Sequence, residues 1–367
     1  MILGERTKKV LPAEVYMEAD MGTALKISFL FLLLSLLSLE ATADTDGGCI
    51  PGSPNCGSPT PTPFPTPSPS ASPLPSPSPS VTPLPTPIVC AEGNCCPPGY
   101  TPRPVDAGVL LLEPTHARAF VLKDRAKFES TAPVWINSTH ERAAICEEHA
   151  EGSAPELHVS GTYREKNQCH FTGKVSTGDA PQEDPLRFLP APNMSDSPVL
   201  SQSRVLIRNK TLTLHPGIYR SDIKIEGKSF VTLEPGIYSI DGRLEVEDES
   251  ELRGQDVLLF FTTKTKRKVV DFHSKKPISL SAARSGLYAG IVMFQKREER
   301  ARLRMGGCGG DIKILGMIYA PKAKLKVRGD AKAAVASQFI GRKLKVKDSA
   351  RATFNYDPTL APIGCYK

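Results

Sequence analysis

The side chains in this chain best placed to do chemistry are basic. Between Phe261 and Arg351 there are 23 Lys and Arg against 6 Asp and Glu, a local charge of +17 in a chain whose formal net charge is +7. Residues 44–260 sum to about −9 by the same count. In Lys324-Leu325-Lys326-Val327-Arg328, in Lys343-Leu344-Lys345-Val346-Lys347 and around Lys313, basic residues alternate with apolar ones. Alternation with period two is the strand signature, so the cations share the outward side of their strands. Lys324 and Lys343, like Lys326 and Lys345, are nineteen positions apart. If such segments stack, the like charges meet at ~4.8 Å and repel, a cost that fold stability alone does not justify. The chemistry on offer is electrostatic recognition. Lys313, Lys324, Lys326, Arg328, Lys343, Lys345 and Lys347 form a candidate polymer-binding set for anionic polysaccharide, lipopolysaccharide phosphate or extracellular DNA. Aromatics are only 7%, so contact with charge is expected rather than base stacking. The competing reading is a solvated basic surface that keeps strand edges from pairing.

Catalytic chemistry finds less support. A polysaccharide hydrolase or lyase needs two carboxylates across a cleft, or acids that hold calcium beside a base. Glu245, Glu247, Asp248, Glu249 and Glu251 are the densest acids, but they straddle a turn and read as a solvated edge. Asp222 and Asp241 are nineteen apart and could line one face, without an Arg or His in any clear pattern beside them. The seven histidines are scattered, and His215 sits at an exposed turn position. None of the nine cysteines has zinc spacing; Cys308, between glycines, reads as half of a disulfide rather than a nucleophile. Asn137, Asn193 and Asn209 head Asn-x-Ser/Thr triplets, which chance explains. No catalytic residue, metal site or small-molecule cofactor is assigned. A carbohydrate-active enzyme is carried as the alternative. An ice-binding face is a further one, because Thr213 and Thr232 could begin a threonine ladder.

The elements that must position these residues are legible in a repeat. Leu212-Thr213-Leu214-His215-Pro216-Gly217-Ile218-Tyr219 returns nineteen positions later as Val231-Thr232-Leu233-Glu234-Pro235-Gly236-Ile237-Tyr238. Short alternating runs such as Ile223-Lys224-Ile225 and Leu244-Glu245-Val246 lie between turn formers such as Asp241-Gly242 and Arg328-Gly329-Asp330. Strands this short need neighbours stacked above and below, and a fixed period supplies them. The expectation is an all-β chain folding as a right-handed parallel β-helix of about nineteen residues per coil, over residues 106–357, with a short tail at 358–367. An antiparallel sandwich would need no fixed period.

Upstream, Lys26 precedes the apolar run Ile27–Leu39 and the small residues Ala41-Thr42-Ala43, the pattern of an export signal over residues 1–43, with Met21 as a candidate start. The run is too short for a comfortable membrane span of ~20 residues, although an uncleaved anchor is the competing reading. Residues 44–105 form a cysteine-flanked Pro/Ser/Thr-rich stalk, densest from Pro51 to Pro87, read as disordered and extended. Cysteines that pair as disulfides fit an oxidising compartment.

Several stretches resemble the C-terminal β-solenoid region of Tad (Flp-type) pilus-assembly proteins of the Tad-G-like kind and related bacterial surface proteins. They are Asp184-Pro185-Leu186-Arg187-Phe188-Leu189-Pro190-Ala191-Pro192, the two Pro-Gly-Ile-Tyr copies, Tyr288–Gln295, Gly316-Met317-Ile318-Tyr319-Ala320-Pro321 and Phe354-Asn355-Tyr356-Asp357, with Val134–Ser138 as an early coil. The resemblance implies an exported bacterial surface solenoid, structural or adhesive, with surface or pilus-related proteins among its partners and no established catalytic residues.

Overall fold

Apolar residues at alternate positions, in runs of three to five, commit the chain to strands too short to stand alone. The computed structural model describes residues 96–367 apart from 264–267, 307–308, 331 and 336. The strands stack in parallel register as a β-solenoid of ten rungs. The signal segment 1–43, the stalk up to residue 95 and Cys308 lie outside the described residues.

The rungs do not follow chain order. Numbered along the stack, rungs 1–7 are residues 199–214, 217–233, 236–254, 257–281, 291–315, 317–335 and 338–354; rungs 8–10 are residues 109–130, 134–153 and 156–172, and residues 174–177 lie on 156–159 as the start of a further turn. The seam between rungs 7 and 8 is a regular parallel ladder. Phe339 pairs with Val109, Leu344 with Phe120 and Ala352 with Phe128. The chain therefore enters at mid-stack, builds one end, crosses back as residues 178–198, and fills the stack toward its own beginning.

Each rung contributes strands to three faces, and inward side chains form continuous columns. Ile225, Val246, Phe272, Met305, Val327 and Val346 line one column, and Val231, Leu252, Ile278 and Ile312 another. All are buried. Full burial of each is worth about 1.5–3 kcal/mol, so the shared column rather than any one strand drives folding.

The nineteen-residue register holds where Thr211–Leu214 lies on Phe230–Leu233 and where Lys324–Val327 lies on Lys343–Val346. Elsewhere the corners take up extra residues: Gly217 pairs with Tyr238, Leu244 with Val270 and Ile278 with Ile312. The Pro-Gly-Ile-Tyr copies are thus not aligned residue for residue. Their tyrosines still stack, with ring centroids 6.2 Å apart, and Tyr219 and Tyr238 each donate at 2.8 Å to the carbonyl four residues back, of His215 and Glu234. The glycines before them have φ of 152° and 139°, a conformation that strains any other residue.

Residues 178–198 form a strap across the outer side of one face. Leu186 packs there with Leu110, Phe260, Phe294, Tyr319 and Ile340. Tyr319 donates to Asp184 Oδ2 at 2.8 Å and accepts from Arg297 Nε at 2.8 Å, while Arg297 Nη2 donates to the carbonyls of Leu186 (2.6 Å) and Leu189 (2.5 Å). Burial raises the Asp184 carboxyl above its ordinary value, against the opposing pull of Tyr319. Asn137, one of the triplet asparagines, clips the strap by exchanging hydrogen bonds with the Gln182 backbone at 2.7 and 2.9 Å.

Order extends past both ends of 106–357. Thr101–Pro104 pairs antiparallel with Ile363–Tyr366, and Cys96 is bonded to Cys365. A second disulfide, Cys146–Cys169, joins rungs 9 and 10. Among the described residues no helix is long and apolar enough to cross a membrane.

Candidate polyanion-binding face

The second strand of each rung builds a face whose central outward positions are charged in rungs 2–7 and apolar in rungs 1, 8 and 9, at Leu206, Val121 and Ile145. Its central column reads Lys224, Glu245, Asp271, Arg304, Lys326, Lys345, Val121 and Ile145 along the stack. On one side of it run Arg302, Lys324 and Lys343, and on the other Arg328 and Lys347. The buried Leu325, Val327, Leu344 and Val346 lock this alternation, because a one-residue slip would turn the lysines into the core.

The face divides at Asp271 and Arg304. In rungs 1–4 cations and carboxylates compensate one another. Arg208 meets Glu226 at 2.6 Å, Lys224 meets Glu226 at 2.8 Å and Glu247 at 3.0 Å, and Arg243 meets Glu245 at 2.6 Å and Asp222 at 3.0 Å. In rungs 5–7 only the margins are compensated: Arg304 reaches Asp271 at 3.5 Å, Arg342 and Lys343 reach the buried Glu113 at 2.9 and 3.7 Å, and Lys347 reaches Asp124 at 3.8 Å. Among the described residues no carboxylate lies within ion-pair distance of Lys324, Lys326 or Lys345, which are half-buried.

Their titration reflects this. Burial, with Lys345, Lys326, Lys343 and Arg302 around it, brings the Lys324 ammonium down from 10.5 to about 8. Burial also lowers Lys326, with Arg328, Lys347 and Lys345 adding to the effect, and lowers Lys345, where Lys123 and Lys347 add. Lys343 is lowered by burial against the pull of Glu113. The result is a group of poorly compensated cations, a concentration of positive potential on one face.

Six of the seven residues expected from sequence lie together on rungs 6 and 7. Lys313 does not: it stands outward on the third face, paired with Ser279. Alternation tells inside from outside for Lys313 but not which of three faces it occupies. Arg302 and Arg304 belong to the group and lie outside the expected set. The alternation in Arg302-Leu303-Arg304-Met305 is a usable signal, hidden because Arg302 pairs with Lys324 at an offset of 22.

Asp222, the Thr213 column and His215, weighed for other activities, resolve into structure. Asp222 accepts the Arg243 backbone N–H at 2.8 Å and its guanidinium at 3.0 Å. Thr213 lies on Thr232, but the next position in that column is Arg253. His215 is exposed and bonds Glu234 at 2.7 Å. Comparison of the chain with protein-family models, with curated proteins and with solved structures finds no match in any of the three. A functional reading therefore rests on the geometry of this face.

Proposed function

We propose that the protein is an exported, surface-displayed structural or adhesive solenoid that binds an acidic polymer through rungs 5–7 of its charged face. One observation carries the reading: Arg304, Lys326 and Lys345 are ladder neighbours, flanked by Lys324 and Lys343, with no carboxylate against Lys324, Lys326 or Lys345 among the described residues, whereas Arg208, Lys224 and Arg243 in rungs 1–3 each meet one. Stacked like charges oppose the ladder, and an anionic chain laid along the column would neutralise them at the spacing of the rungs. Export is supported by the signal-like segment at 1–43, by the two disulfides and by the Tad-G-like resemblance, which also motivates a bacterial surface and pilus-related partners. The described outward positions of this face in rungs 5–7 carry no aromatic side chain, so contact is with charge, on an anionic polysaccharide, lipopolysaccharide phosphate or a DNA backbone, rather than by base stacking.

The test is binding of the full chain to a polyuronate, a DNA duplex and lipopolysaccharide at two salt concentrations. Affinity should fall steeply with salt, on the order of one unit of log–log slope per charge neutralised. The triple variant Lys324→Gln, Lys326→Gln, Lys345→Gln should lose it while remaining folded. Salt-independent binding, or binding unchanged in the triple variant, would leave the face a solvated surface only.

A further inference from the structure

At the seam of the charged face a different site is assembled. Oxygens of Glu245, Glu247 and Asp271, from two neighbouring rungs, all lie within 4.8 Å of one another. Glu245 pairs with Asp271 directly in the ladder. The acids Asp248, Glu249 and Glu251, which neighbour them in sequence, are not part of this group; Asp248 instead turns the chain, with φ of 60° and its carboxylate on the Gly227 N–H. Asp271 comes from twenty-four positions beyond Glu247 and is the member that sequence spacing hides.

A second observation is independent of the clustering. Asp271 is only 3% exposed, and its Oδ1 is buried with no hydrogen-bond partner, while Oδ2 meets Lys268 and Arg304. A buried carboxylate oxygen left without a donor is costly, and a bound cation relieves that cost. Lys268 and Arg304 both hold Oδ2, which leaves Oδ1 open to an ion.

The cations around the cluster can release it. Lys224, which touches Glu247, also holds Glu226 at 2.8 Å, and Arg243, which touches Glu245, also holds Asp222 at 3.0 Å. Each keeps a carboxylate partner if Glu245 and Glu247 turn to an ion.

We infer that Glu245, Glu247 and Asp271 bind a divalent cation, and that the cation is calcium. The donors are all oxygen, which favours a hard ion. Ligands of one calcium, each at ~2.3–2.6 Å, lie no more than ~4.6–5.2 Å apart, so oxygens within 4.8 Å of one another can share the ion, and calcium accepts an irregular carboxylate set where magnesium demands a near-octahedral shell and keeps its waters. Bound calcium ties rung 3 to rung 4 and gives Asp271 Oδ1 the partner it otherwise lacks.

The experiment uses the full chain stripped with EDTA, with CaCl2 or MgCl2 added in thermal melts and in equilibrium dialysis. One calcium per chain should bind, raising the midpoint by roughly 5–10 °C at a hundred-fold excess over the dissociation constant. Magnesium should do less. Glu247→Gln, at a partly exposed position, should bind weakly and lose the shift, and Asp271→Asn should do the same if it folds. Absence of stoichiometric calcium in the wild-type dialysis overturns the site without reference to either variant, and so does an equal shift in Glu247→Gln. Polymer binding is read separately, so its failure leaves this result untouched.

Discussion

Lys345 lies in parallel register with Val121, and Val346 with Leu122, although these pairs come from opposite ends of the folded chain. The basic rungs are therefore interior to the stack. On one side the column ends at the buried Val121 and Ile145, and on the other at the acid Asp271. That bounds the cationic patch to three rungs.

Replacing Lys326 by Thr should stabilise the fold, because Lys326 stands between Arg304 and Lys345. Relief of one like-charged neighbour in a ladder is worth about 0.2–1 kcal/mol. A higher thermal midpoint together with weaker polymer affinity is the expected pair of results; a lower midpoint would mean that the apolar stem of Lys326 contributes more than its charge costs.

In the compensated half the sign reverses. Arg243→Gln removes the partner of both Glu245 and Asp222, and a charge left unpaired at the nearly buried Glu245 should cost about 1–3 kcal/mol, read from denaturant unfolding. The contrast between Lys326 and Arg243, two cations on one face, separates charges kept for stability from charges kept for something else.

The pH dependence follows from Lys324, about 8 in the folded protein against 10.5 as its ordinary value. Below pH 8 it is protonated in both states and its repulsion is fully present. Between about pH 8 and 10.5 the unfolded chain holds a proton that the folded one has released, so this residue's contribution to stability rises with pH across that window. Subtracting the melting profile of Lys324→Met from that of the wild type should leave a rising difference there. Polymer binding should weaken over the same range, with proton uptake on binding near pH 8.

One polar node anchors the strap at Asp184, beside the Asn137 clip at Gln182. Tyr319→Phe deletes the donor to Asp184 and the acceptor for Arg297, and a loss of about 1–3 kcal/mol is expected. Hydrogen exchange should show the amides of residues 184–190 exposed before those of the rungs.

Much of this architecture is legible in the amino-acid order and part of it is not. Parallel stacking follows from Thr211–Leu214 and Phe230–Leu233, because the core column demands the same inward residues at each turn. The pairing of Phe339 with Val109 cannot be read, since periodicity reports the height of a rung and not which rung lies beneath it. The six clustered cations sit where register is undisturbed. Arg302, Arg304 and Asp271 escape a nineteen-residue reading because Arg302 meets Lys324 at an offset of 22, Glu245 meets Asp271 at 26 and Asp271 meets Arg304 at 33. Lys313 joins the others in sequence only because alternation is blind to the choice among three faces.

The bond between Cys96 and Cys365, with Thr101–Pro104 paired to Ile363–Tyr366, has a mechanical meaning. The hydrogen bond from Val105 to Pro362 puts this clasp beside rungs 7 and 8. A pull between residue 96 and the far terminus is carried by one covalent bridge and never reaches the coils, so the stack is shielded from stretching along its own chain. Residue 96 itself is thereby fixed at the side of the stack, beside rungs 7 and 8, and not at either tip.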